Sequence, residues 1–250
     1  MIFKQLFESD SATYSYLIAC EQSRQAILID PVIDTVERDL QVLKDLGLTL
    51  MATLETHVHA DHLTGARRLK QRSGCQTAYP KMLDLPCADL GVQEGEAFVV
   101  GSVSLHPLFT PGHTDHHHAY LIDTPVQKLL FTGDALLIEA CGRTDFQSGD
   151  AATLYHSIHN KLFSLPDETL VYPGHDYEQR CVSSIAQEKA RNPRLGQGRS
   201  QADFVALMDG LDLPYPRKID FAVPGNEDCG TCPPNVPEQF RGSCSASDQG

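Results

Sequence analysis

Seven residues, Thr56-His57-Val58-His59-Ala60-Asp61-His62, follow directly on the apolar run Leu48 to Leu54. No other stretch constrains the fold as much. Three imidazoles and a carboxylate crowded at a strand end need either a metal ion or a dense set of hydrogen bonds, because a buried polar group without a partner is costly. His57 and His59, two apart on a strand, point to one face, while Asp61 and His62 return to the same rim through the turn that follows. Three later segments repeat the device. Thr110-Pro111-Gly112-His113, Phe131-Thr132-Gly133-Asp134 and Tyr172-Pro173-Gly174-His175 each place one ligand-type residue just past a predicted strand, with glycine supplying the tight turn. A lone histidine or aspartate of this kind usually satisfies a loop or cap. Seven such side chains, each delivered with turn geometry, point instead to a metal site on which four strand ends converge.

The rest of the chain supplies the frame. Phe3 to Phe7, Thr13 to Cys20 and Gln25 to Ile29 read as strands, ended by Asp30-Pro31; Asp34 to Leu46 carries a helical apolar stripe closed by Gly47. The strand Thr49 to Glu55 delivers the histidine motif, and a helix is predicted over Ala60 to Arg72, stopped at Gly74. A second strand set covers Thr77 to Tyr79, Ala97 to Val100, Val103 to Phe109, His118 to Ile122 and Lys128 to Thr132. Helices over Ala151 to Phe163 and Tyr177 to Lys189 flank the strand Thr169 to Tyr172. This order predicts an α+β chain of two sheets packed on each other with helices outside. From Asp220 onward Pro, Gly, Ser and Cys accumulate and periodicity is lost, so a catalytic domain is expected over 1–220 and a loop-like extension over 221–250.

With 250 residues and 41% hydrophobic content, the chain can bury a full core without disulfides. Its formal net charge of −13 argues against nucleic acid or an anionic membrane as partner and favours a small-molecule substrate. No apolar run is long enough to span a bilayer, and the first residues lead straight into strand-like sequence, so a cytoplasmic location is expected. The eight cysteines are scattered and read as mostly reduced. Cys20, Cys75, Cys87, Cys141 and Cys181 suit buried, small apolar roles. Cys229, Cys232 and Cys244 are half a zinc knuckle, a redox pair or loose tail thiols, of which the last is favoured.

The motifs THVHADH, PGH, GD and PGHD, in this order, resemble the metallo-β-lactamase superfamily, whose fold is the αβ/βα four-layer sandwich. Within it, Gly133 to Ile138, Cys141-Gly142-Arg143-Thr144-Asp145-Phe146-Gln147, Tyr172 to Tyr177, Asn192 to Leu195 and Ile219 to Pro224 are similar to the persulfide dioxygenases, or sulfur dioxygenases. The resemblance runs from near Met1 to about Gly230, and the Arg-Thr-Asp-Phe-Gln segment is its most specific part. It implies a single ferrous ion, Fe(2+), held by His57, His113 and Asp134, two imidazoles and a carboxylate that leave positions open for substrate and dioxygen. His59, Asp61, His62 and His175 would then orient ligands. The implied substrates are glutathione persulfide and dioxygen, and the implied products sulfite and glutathione. A sulfurtransferase partner and a homodimer follow by the same analogy.

Tyr177 and Arg194 are candidates for the peptide part of the thiol, while Arg143 either binds its carboxylates or anchors its own loop through Asp145, with the loop role favoured. The alternative enzyme is a two-metal hydrolase of glutathione thioesters. Residues matching His57, His59, His113 and Asp134 would hold one metal there, and those matching Asp61, His62, His175 and Asp134 the other. All seven are present, but the Thr-Asp-Phe-Gln segment and the short chain after His175 speak against it. A catalytically silent sulfide or metal sensor is a third class. Asp115-His116-His117-His118 departs from the small, glycine-containing segment expected there; exposed or hydrogen-bonded histidines are favoured over extra metal ligands.

Overall fold

The computed structural model describes residues 1–234 and 236–244. Among the described residues, twelve strands divide into two mixed sheets. The first is ordered β1 to β6: Ile2–Glu8, Thr13–Ala19, Gln25–Ile29, Thr49–Leu54, Gln76–Pro80 and Leu90–Val92. β1 to β3 run antiparallel as hairpins, and β3 to β6 run parallel. The second holds β7 Phe98–Val100, β8 Val103–Phe109, β9 His118–Asp123, β10 Lys128–Gly133, β11 Leu170–Pro173 and β12 Ser183–Ser184, in the reverse spatial order β12 to β7. Only β10 and β11 are parallel in it.

Strand alternation explains the layering, because successive side chains leave opposite faces. Ile18, Ile27, Ile29 and Leu54 meet Leu105, Tyr120, Ile122 and Phe131 between the sheets. An aromatic cluster locks this layer, with the Tyr16 and Phe131 ring centroids 4.9 Å apart. The other face of the first sheet carries Leu17, Leu28 and Leu50 against α1, Val36–Asp45, and α2, Ala66–Ser73. Leu130 and Val171 cover the second sheet's outer face beneath α3, Ala151–Ser157, α4, Ile185–Arg191, and α5, Gln201–Asp209. Helix, sheet, sheet, helix is the four-layer arrangement expected from the sequence.

Three local expectations are corrected. The helix predicted from Ala60 begins only at Ala66, because Gly65 N–H and Ile33 N–H are taken up by Pro31 O and Leu63 O, which holds this stretch as a loop against the end of β3. The helix predicted over Tyr177 to Lys189 shrinks to α4 preceded by β12. Left-handed backbone at Gln179 and Cys181 breaks its first half, and Asp176 accepts hydrogen bonds from the Arg180 amide and guanidinium. The tail expected to be loop-like folds into α6, Ile219–Glu227, despite Pro224, because Phe221 and Ala222 bury against Ile33, Leu63 and Val236.

The cysteines also differ from expectation. Cys20, Cys75 and Cys141 are buried and free as expected, but Cys181 is exposed. Cys87 pairs with Cys229 across 142 residues, and Cys232 pairs with Cys244 across 12, so the tail thiols are not loose. The scattered spacing signalled neither pairing. No helix among the described residues is long and apolar enough to cross a membrane.

Candidate metal centre and its cleft

The carboxyl ends of β4, β10 and β11 open on one edge of the sandwich. Two contacts stitch the sheets there: Tyr14 N–H donates to Gly174 O and His118 N–H to Thr56 O, each at 2.8 Å. His57, His113 and Asp134 meet at this edge, each offering one ligand atom, with those atoms within 4.8 Å of one another. Backbone conformation allows the approach. Gly133 has φ +48°, a left-handed turn at the end of β10 that a side chain would strain. A Cβ at Gly142 would lie 2.3 Å from Asp134 O and 2.8 Å from His113 Nδ1, so the Cys141-Gly142-Arg143 turn can pass under the ligands only as glycine.

Both histidines are oriented through Nδ1. His113 Nδ1 donates to Arg143 O at 2.7 Å, and His57 Nδ1 donates to the Thr56 hydroxyl at 2.9 Å, which itself donates to Asp30 Oδ2 at 2.8 Å. Fixing the proton on Nδ1 leaves each Nε2 free as a lone-pair donor. Asp134 Oδ1 is buried without a hydrogen-bond partner, as are His59 Nδ1 and His62 Nε2. Such atoms cost about 1–3 kcal/mol each when left unsatisfied. A cation between His57, His113 and Asp134 would satisfy the carboxylate oxygen, so the residues present fit a bound metal.

The other four predicted residues surround the cluster. His59 Nε2 lies 3.1 Å from Asp30 Oδ1 and 3.2 Å from Glu55 Oε2. Burial pulls its pKa down, but the charges and hydrogen bonds of Asp30 and Glu55 outweigh burial and hold it well above the usual value. His62 Nδ1 is 3.0 Å from Asp61 Oδ2, and burial lowers its pKa despite that carboxylate. His175 bridges the two halves, with Nε2 3.4 Å from Asp134 Oδ1 and 3.6 Å from Asp61 Oδ2. Burial lowers its pKa, and the two carboxylates more than reverse this.

A profile of the metallo-β-lactamase superfamily matches residues 9–175. Persulfide dioxygenase ETHE1 of Mus musculus, a mitochondrial protein by name, is 45% identical over 94% of this chain and 91% of its own length. The crystal structure of ETHE1 from Myxococcus xanthus superposes with a TM-score of 0.88 at 50% identity, covering 92% of this chain and 100% of that one. The chain belongs to the persulfide dioxygenase family. A probable hydroxyacylglutathione hydrolase of Schizosaccharomyces pombe is a more distant relative, 36% identical over 72% of this chain and 71% of its own.

In this member of the persulfide dioxygenase family, a cleft of about 570 Å³ leads to the metal centre. Tyr177, Arg143 and Arg194 line it. Arg143 is occupied: Nε and Nη2 hold Asp145 at 2.6 and 2.7 Å and Nη1 donates to Pro214 O at 2.9 Å, which is the loop-anchoring role. Arg194 Nη1 donates to Cys141 O at 2.9 Å. Tyr177 is 80% exposed at the mouth. Arg217 and Lys218 went unnoticed in the sequence. They line the same cleft and lie over the Phe240 ring at 5.6 and 5.7 Å, and the Lys218 charge also acts on Asp34 and Glu8.

Sequence reasoning also missed three buried residues that hold the histidine loop. Asp30 accepts from the Thr56 amide at 2.7 Å and Glu55 from the Thr64 hydroxyl at 2.6 Å. Asn226, on α6, donates to His59 O and His62 O, both at 2.8 Å, and accepts from Thr64 N–H at 2.8 Å. The sequence signal for Asn226 was its place two residues after the family-like Ile219 to Pro224 segment. Asn226→Ala should cost about 1–3 kcal/mol in all, because water entering the space it vacates can pair with most of the two carbonyls and the amide it leaves. Urea unfolding of metal-free protein would measure this; an unchanged midpoint would deny α6 its part in holding the loop.

Proposed function

We propose that this protein oxidises glutathione persulfide with dioxygen, using one ferrous ion held by His57, His113 and Asp134. The observation that carries the reading is the pair of histidines whose Nδ1 protons are already committed, beside a carboxylate with a free buried oxygen, in a chain 45% identical to a named persulfide dioxygenase. Two imidazoles and one carboxylate suit ferrous iron with open positions. Iron bound there supplies the redox chemistry that brings dioxygen to the terminal sulfur of the persulfide. Persulfide, dioxygen and water together give glutathione, sulfite and protons.

The protein's own part is placement. Arg217, Lys218, Tyr177 and Arg194, which line the same cleft, would receive the two carboxylates of the glutathione portion. Leu137, Leu213 and Phe240 give the cleft an apolar surface against the thiol's stem. His59, Asp61, His62 and His175 orient the loop around the ligands. The same reading carries a cytoplasmic setting, a homodimer and a sulfurtransferase that supplies the persulfide.

A second reading has one observation in its favour. His59, Asp61 and His62 also bring ligand atoms within 4.8 Å of one another. That would suit a second metal and the hydrolysis of glutathione thioesters. Oxygen-electrode measurements on iron-loaded protein separate the two. We expect uptake with glutathione persulfide and none with glutathione alone, because a persulfide is far more acidic than a thiol and presents a sulfur anion near neutral pH. Thioester cleavage without persulfide-dependent uptake would decide for the hydrolase.

A further inference from the structure

The run Asp115-His116-His117-His118 has no part in the ligand set, yet its histidines are buried: His116 is 6% exposed, His117 0% and His118 3%. A backbone amide can only donate, so a ring nitrogen facing one must be an acceptor. His117 Nε2 accepts from the Asp134 amide at 3.1 Å, and its Nδ1 therefore carries the proton toward the Thr110 hydroxyl at 2.9 Å. Its ring lies 5.1 Å from that of His57 and 6.2 Å, edge to face, from that of His113. One side chain thus meets all three members of the cluster. Room for it comes from Gly133, where a Cβ would lie 2.6 Å from His117 Nε2. His116 Nε2 accepts from the Val58 amide at 3.0 Å while Asp115 holds its Nδ1 at 2.8 Å. Gln147, in the Arg-Thr-Asp-Phe-Gln segment, donates to Val58 O at 2.8 Å, so the peptide between His57 and His59 is gripped from both sides.

We propose that His117 is a positioning residue for the metal centre, fixing the Asp134 backbone and the packing of both imidazole ligands, and that His116 does the same for the His57 peptide. The proposal rests on the assignment of His57, His113 and Asp134 as ligands. Outer groups that orient ligands typically change metal affinity by about 10-fold to 100-fold when lost. A ring that only filled space would be replaceable by phenylalanine.

The test compares His117→Phe, which keeps a ring but cannot accept, with His117→Gln, whose amide oxygen can stand in for Nε2. Ferrous affinity is read by chelator competition, and ligand geometry by the electron paramagnetic resonance spectrum of the nitrosyl adduct at full iron loading. We expect His117→Phe to bind iron about 10-fold to 100-fold more weakly with an altered spectrum, and His117→Gln to resemble the unaltered protein in both. Equal weakening of the two variants would assign His117 to packing and overturn the proposal, as would His117→Phe binding iron as tightly as the unaltered protein with the same spectrum. Should His117→Phe fail to fold, His116→Phe and His116→Gln, nearer the surface, are measured in the same two ways, and the same two outcomes overturn the proposal. His113→Ala is the control for the underlying assignment: if it holds iron undiminished, the ligand set is wrong and the proposal falls with it. If it loses iron while His117→Phe keeps both affinity and spectrum, the proposal alone falls.

Discussion

His57→Ala, His113→Ala and Asp134→Ala are each expected to lose iron and oxygen uptake together, whereas His59→Ala and His62→Ala should keep substantial iron. With three protein ligands, removing any one leaves two, and the open positions already belong to solvent and substrate. His59 and His62 are engaged differently. His59 directs Nε2 to Asp30 and Glu55, and His62 directs Nδ1 to Asp61. Their loss should weaken affinity by about 10-fold to 100-fold, the range for groups that orient ligands. Iron and zinc measured per chain after purification and desalting would check this. Equal and complete metal loss in all five variants would point to the two-metal hydrolase.

Asp30→Ala should produce the largest loss of stability among the supporting residues, about 3–5 kcal/mol, the scale for removing one partner of a buried charged pair. Asp30 is 1% exposed and takes three hydrogen bonds, from the Thr56 amide, the Thr56 hydroxyl and His59 Nε2. Its loss leaves His59 with only Glu55 and frees the hydroxyl that orients His57. Chemical denaturation of metal-free Asp30→Ala measures the stability term, and chelator competition the accompanying fall in metal affinity. A change below about 1 kcal/mol, the scale of an exposed ion pair, would remove Asp30 from the framework of the site.

Asp30 also marks where reading the chain stopped. In the sequence, Asp30-Pro31 was only punctuation after a strand, and nothing local says that this carboxylate will meet Thr56 and His59. That meeting depends on β3 and β4 being parallel neighbours with Ile29 opposite Leu54, a register set by long-range pairing. Asn226 is a stronger case. Its segment breaks helical periodicity with Pro224 and Gly225, so local pattern argued for a loop. Burial of Phe221 and Ala222 against Leu63 and Val236 made it helical and brought its amide to the histidine loop. The cysteines failed for the same reason, since spacing carries no information about which thiols meet across 142 residues.

The convergence of His57, His113 and Asp134 was legible because each sits one to four residues past a strand, where alternation and a turn glycine fix direction over a few bonds. The four-layer order was legible because strand and helix periods are local and leave opposite faces apolar. Those properties the sequence determined by itself. Which nitrogen of each histidine is free, which arginines are already engaged, and what three extra histidines hold in place were decided only by the tertiary structure. Several of the hydrogen bonds that settle them join distant residues, such as His113 to Arg143, Arg194 to Cys141 and His116 to Val58, and such partners exist only once the two sheets have closed on each other.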